Sequence, residues 1–80
     1  MTTVQLQYYA QLREQAGRSS ETVSTAAADL RALYRELRER HGFSLDSDAL
    51  KVAVNNEFST WDRALHEGDT VVFIPPVAGG

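Results

Sequence analysis

The chain has no cysteine in its 80 residues, which excludes disulfides, cysteine–zinc sites and a thiol nucleophile within it. It also has no apolar run near the ~18 residues that a transmembrane helix needs. Basic side chains are scarce: 8 Lys and Arg against 11 Asp and Glu leave a formal net charge of −3. That balance weighs against nucleic acid as the main partner, because phosphate contacts dominate such binding. The start, Met1-Thr2-Thr3-Val4-Gln5, lacks the basic segment and apolar core of a secretion signal, so the expected compartment is cytoplasmic. No GxxxxGK phosphate loop occurs, so any ATP chemistry falls to a partner. His41 and His66 stand far apart without ligand spacing, and no metal site is expected.

What is present suits one small globular domain, with 42% of residues hydrophobic. A core of this size barely offsets conformational entropy, at roughly 1–2 kcal/mol per ordered residue. A deep catalytic cavity would remove packing the domain can hardly spare. Composition therefore points to a binding module or carrier rather than a self-sufficient enzyme.

Apolar periodicity divides the chain into elements. Val4-Gln5-Leu6-Gln7-Tyr8 alternates as a half-buried strand, and Tyr9 is expected on the face shared by Gln5 and Gln7. Leu12 and Ala16, followed by Gly17, indicate a short helix with a glycine cap over 10–16. Residues 21–25 are β-branched and read as a returning antiparallel strand. Asp29 is a suitable N-cap for a helix whose stripe is Leu30, Leu33, Tyr34 and Leu37 and whose stop is His41-Gly42. Residues 44–48 read as loop, 50–54 as a strand ended by Asn55-Asn56, and 57–59 as a short partner strand. A brief helical turn is expected over 61–65, a tight turn at Glu67-Gly68-Asp69, and a strand over 70–74.

The fold class expected is α+β: a mixed sheet of about five strands covered by one main helix, since no second layer is available. A right-handed strand–helix–strand connection follows from the crossover rule. The order resembles the β-grasp, or ubiquitin-like, arrangement, in which the first and last strands run parallel at the sheet centre. The expected division is a domain over 1–74 and an extended, flexible tail over 75–80.

That tail is Pro75-Pro76-Val77-Ala78-Gly79-Gly80. Diproline favours an extended backbone, and the residues after it shrink until the last can pass through a channel too narrow for a Cβ. One reading is a frayed end. The other is that the terminal carboxylate reacts. A carboxylate is a poor electrophile until it is activated, most simply as an acyl-adenylate. It then accepts sulfur to give a thiocarboxylate, or an amine to give an isopeptide.

Three segments resemble the MoaD-like sulfur carriers, the small subunits of molybdopterin synthase. They are Tyr8-Tyr9-Ala10-Gln11-Leu12-Arg13-Glu14, Val52-Ala53-Val54-Asn55-Asn56, and the run from Glu67 through Phe73-Ile74-Pro75-Pro76-Val77-Ala78-Gly79-Gly80. The likeness spans the chain, and the Phe-x-Pro-Pro-Val-x-Gly-Gly ending is its most specific part. The resemblance implies that a ubiquitin-activating-like adenylyltransferase uses ATP and Mg to adenylate Gly80, and that a persulfide donor supplies the sulfur. It further implies insertion of the tail into a large synthase subunit, in a heterotetramer of two small and two large chains. There sulfur passes to cyclic pyranopterin monophosphate. Gly80 would carry the chemistry, Gly79 the clearance, and most of the active site would belong to the large subunit. Thiazole or thionucleoside carriers and ubiquitin-like protein modifiers remain alternative classes, as does a plain interaction domain with an inert tail.

Alternation also indicates a docking face. Val4, Leu6, Tyr8, Val71 and Phe73 should face the helix, which leaves Tyr9, Val72 and Ile74 apolar on the opposite side. Tyr9 and Ile74 should share one end of the sheet beside the tail root, with Phe58 joining from the neighbouring hairpin. The resemblance also places partner contacts at Tyr9, Phe58 and Ile74. Other signals read as structural. Arg31, Arg35 and Arg38 with Glu36 and Glu39 form a solvated helix face, and Trp61 should cover an edge of the core. Asp62, His66 and Glu67 read as a solvated turn, and Ser19-Ser20 has no histidine partner in a recognisable motif.

Overall fold

β1 (Thr2–Tyr8) buries Val4, Leu6 and Tyr8 on one side and exposes Gln5 and Gln7 on the other, as its alternation dictates. The computed structural model describes residues 1–76. After β1 come α1 (Ala10–Ala16), β2 (Ser20–Thr25), α2 (Leu30–His41), a single 3₁₀ turn (Ser47–Ala49), β3 (Lys51–Val54), β4 (Glu57–Ser59) and β5 (Thr70–Ile74). The strands form one sheet in the order β2-β1-β5-β3-β4. β1 and β5 run parallel, with Leu6 opposite Val71 and Tyr8 opposite Phe73, and the other neighbouring pairs are antiparallel. This is the β-grasp architecture.

α2 forms where its caps and its stripe agree. The Asp29 carboxylate accepts from the Ala32 amide at 2.9 Å, satisfying one orphan donor of the first turn. Leu30, Leu33, Tyr34 and Leu37 are buried against the sheet. Gly42, at φ 72°, donates its amide to the Arg38 carbonyl at 2.8 Å and ends the helix in the left-handed conformation. Tyr34 packs on Phe73 with ring centroids 5.2 Å apart, and Trp61 stacks on Phe73 at 6.0 Å and 8°, covering the edge of the core as expected.

The segment 61–65 differs from the expected helical turn. It runs as a turn at Trp61-Asp62 followed by an isolated bridge between Ala64 and Asp29. The reason lies at the start of α2. The Leu30 amide donates to the Arg63 carbonyl and the Arg31 amide to the Trp61 carbonyl, both at 3.1 Å, while the Leu65 amide donates to the Ala28 carbonyl at 3.2 Å. The first amides of a helix have no partner inside it, and here an opened-out neighbouring segment supplies carbonyls to them.

Candidate functional site

Sheet register assembles the outer face, the one turned away from α2. Val72 lies opposite Gln7 on one side and Ala53 on the other, and Ala53 lies opposite Phe58. One row therefore runs Gln7, Val72, Ala53, Phe58. Further along β5, Ile74 lies opposite Lys51. Tyr9 follows Tyr8, whose partner is Phe73, so it stands at the same end of the sheet as Ile74. Phe58 is 74% exposed and Tyr9 50% exposed, and both are among the large apolar side chains open to solvent. Val72 and Ile74 are half-buried between them.

Local chemistry holds these positions. Asn55 and Asn56 both adopt positive φ, 52° and 72°, the geometry of a tight hairpin turn whose twist matches the flanking strands. That turn sets the register of β3 with β4 and so the place of Phe58. The Asn55 side chain donates to Asp69 Oδ1 and accepts from the Thr70 amide, each at 3.0 Å, which ties the turn to the start of β5. Asp69 also accepts from the His66 amide and from Arg63. Burial works against ionisation of Asp69, but these hydrogen bonds outweigh it and hold the carboxyl below its ordinary value.

At the other side of the patch, Ala10 adopts φ 50°, in the left-handed region that disfavours a Cβ. The chain thereby turns sharply out of β1, and the Tyr9 carbonyl accepts from the Leu12 amide at 3.1 Å. Tyr9 has left the strand and presents its ring outward, with its hydroxyl 3.4 Å from Gln7 Oε1.

Beneath this end of the sheet is a polar cluster that sequence reading missed. The Tyr8 hydroxyl donates to Glu21 Oε1 at 2.6 Å, and His41 Nε2 lies 2.6 Å from the same oxygen. Glu21 pairs with Arg18 through its other oxygen at 3.5 Å. Burial opposes the Glu21 charge, yet the hydrogen bonds from Tyr8 and His41 prevail and lower its pKa. Burial raises that of the Tyr8 phenol, and the adjacent carboxylate adds to the shift. An ionised carboxylate only accepts, so Nε2 carries the proton it donates. The cluster is on the helix side of the sheet, with the Glu21 side chain 9% exposed. It ties β1, β2 and the end of α2 together rather than forming an accessible acid–base site. The signal lay in the alternation, which puts Glu21 opposite Leu6 on the inward face.

The structure thus brings Tyr9, Ile74 and Phe58 to one face, next to the point where Pro75 and Pro76 leave β5. Pro75, Pro76, Ile74 and Lys51 line a shallow groove of about 260 Å³ together with the segment 48–50. Val77, Ala78, Gly79 and Gly80 lie outside the described residues. Sequence reading missed Lys51 and Ala53 as members of this face, although alternation with buried Leu50, Val52 and Val54 implies it. No helix among the described residues is long and apolar enough to cross a membrane.

Comparison with known proteins adds four findings. The profile of the ThiS family matches residues 6–80. The molybdopterin synthase sulfur carrier subunit of Escherichia coli is 31% identical over 80 residues, covering 96% of this chain and 99% of that one. Among solved structures, a putative molybdopterin converting factor subunit 1 from Pyrococcus furiosus is 31% identical with a TM-score of 0.79, covering 96% of this chain and 100% of that one. SAMP1 from Haloferax volcanii superposes with a TM-score of 0.81 at 25% identity, covering 98% of this chain and 99% of that one.

Proposed function

The chain belongs to the ThiS family, and from that premise we propose that it is the sulfur-carrier small subunit of a molybdopterin synthase. The single observation that carries the proposal is the convergence of Tyr9, Ile74 and Phe58 on the outer face beside the departing Pro75-Pro76. A contiguous exposed apolar patch of this kind marks an interaction site. The full-length match to the Escherichia coli sulfur carrier supports the same role.

In this reading the domain is a handle and Gly80 is the working part. An adenylyltransferase partner, using ATP and Mg, transfers AMP to the Gly80 carboxylate and releases pyrophosphate. The outer sulfur of a persulfide donor displaces AMP to form an acyl disulfide. Attack of a second thiol on the donor's inner sulfur then breaks the S–S bond, releasing the thiocarboxylate and leaving a disulfide on the donor side. The patch then seats the carrier on the large subunit, in a heterotetramer of two small and two large chains. Pro75, Pro76, Val77, Ala78 and Gly79 lead Gly80 into the large subunit's site, where its sulfur passes to cyclic pyranopterin monophosphate. The chain is a sulfur donor within an enzyme complex and leaves most of the catalytic groups to its partner.

Adding residues after Gly80, or deleting it, should abolish molybdopterin formation in a reconstituted synthase while leaving the thermal melt unchanged. Full product formation by an extended, unprocessed chain would end the proposal. The similarity to SAMP1 supports a second reading, that of a protein modifier joined to lysines through Gly80. Intact mass of the protein from cells separates them: one oxygen replaced by sulfur supports the carrier, and a branched adduct supports the modifier.

A further inference from the structure

The outward positions of the sheet carry amides, hydroxyls and apolar groups, and among the described residues a single charge, Lys51. It is also the one lysine of the sequence. Its place is specific. Lys51 lies opposite Ile74 in the sheet and borders the groove that Pro75 and Pro76 line. It borders a second hollow, of about 200 Å³, with Phe58 and Trp61. It is therefore the ridge between Phe58 and the root of the tail.

Lys51 is exposed, and among the described residues it has no ion-pair partner. The ion pairs among the described residues engage Arg18, Arg31, Arg38, Arg40, Arg63 and His41, and none engages Lys51. Asp48 borders the same groove without pairing to it. An ammonium in water needs no partner. Inside an apolar patch covered by another protein it loses its hydration, and only an opposite charge in hydrogen-bond reach restores the balance.

We propose that Lys51 is a specificity-determining residue of the docking face, and that the large subunit presents a carboxylate to it between the socket for Phe58 and the entrance for the tail. This rests on the reading of that face as the docking surface. Lys51 then selects partners in both directions. A surface with the carboxylate gains a desolvated ion pair, and one with an apolar or basic group there leaves the ammonium buried and unpaired. The remainder of the chain is net acidic, so attraction to an acidic partner is local to this position rather than general.

The test is calorimetric titration of the full chain with the large subunit from the same organism, comparing wild type with Lys51→Met, Lys51→Arg, Lys51→Glu and Phe58→Asp. Lys51→Met keeps the stem and removes the charge, and should weaken binding about ten- to a hundredfold. Lys51→Glu should weaken it further, and Lys51→Arg should stay within about threefold of wild type because it keeps the charge. Added salt should weaken wild-type binding more steeply than that of Lys51→Met. Thermal melts should leave all the Lys51 variants unchanged, since the side chain is exposed. If Lys51→Met binds as tightly as wild type while Phe58→Asp loses binding, the role of Lys51 is overturned and the docking face stands. If Phe58→Asp and Lys51→Met both bind like wild type, the docking face itself is overturned, and Lys51 with it.

Discussion

Phe58 and Tyr9 are the residues at which exposure and function are expected to meet. A ring that is 74% exposed contributes little to the domain's own core, so Phe58→Asp should leave the denaturation midpoint nearly unchanged while partner affinity falls at least tenfold. Loss of folding with unaltered affinity would instead make Phe58 a structural residue. Ala10 is the opposite case, a residue under backbone strain. Its φ of 50° carries a left-handed penalty of roughly 1–2 kcal/mol for a residue with a Cβ. Ala10→Gly should relieve part of it and stabilise the domain by about 0.5–1 kcal/mol in urea melts. The strain sits directly after Tyr9, which is itself extended, at the point where the chain leaves β1 for α1. Alternation in the sequence placed Tyr9 on the outer face, whereas the positive φ that accomplishes the turn has no sequence signal, because alanine does not advertise it.

At the level of elements, α2 was legible almost residue by residue. Its cap, stripe and stop are local features, and Asp29, Leu30 to Leu37 and Gly42 each act through neighbours within a turn or two. Asp29→Ala should cost about 1 kcal/mol, measured by chemical denaturation, since the Ala32 amide loses its acceptor. A loss beyond about 2 kcal/mol would indicate that the isolated bridge from Asp29 to Ala64 depends on the same side chain. The segment 61–65 was misread because its conformation answers to amides of α2 some thirty positions away, not to its own pattern. The β3–β4 hairpin falls between these cases: Asn55-Asn56 announced the turn, but only the ladder shows that Phe58 ends up level with Ala53 and Val72.

Across the whole molecule, acid stability should depend on Glu21 and Asp69. Both have native pKa values lowered below their unfolded values, despite burial, by the donors around them. Their stabilisation is therefore complete well above the unfolded carboxylate range of about 3.9–4.3, and it is lost as pH falls through the lowered native values. Asp69→Asn should be less stable than wild type at pH 7, and the gap between the two should narrow as pH drops below about 4. Denaturant melts across that range decide it: a gap that stays constant with pH would mean that Asp69 acts through shape rather than charge.

The sequence by itself determined the five strands and the two α-helices, which face of each is apolar, and the order of Pro75-Pro76 before Gly79-Gly80. Those properties follow from periodicity, capping and backbone stereochemistry, which act over a few residues. Only the tertiary structure decided strand order and register. These depend on packing between segments tens of residues apart, and a shift of one residue would reverse the face of every side chain in a strand. Register is what sets Tyr9, Ile74, Lys51 and Phe58 on one face of the sheet, with Ile74 and Lys51 at the root of Pro75-Pro76, and what encloses Glu21 with Tyr8 and His41 on the other side.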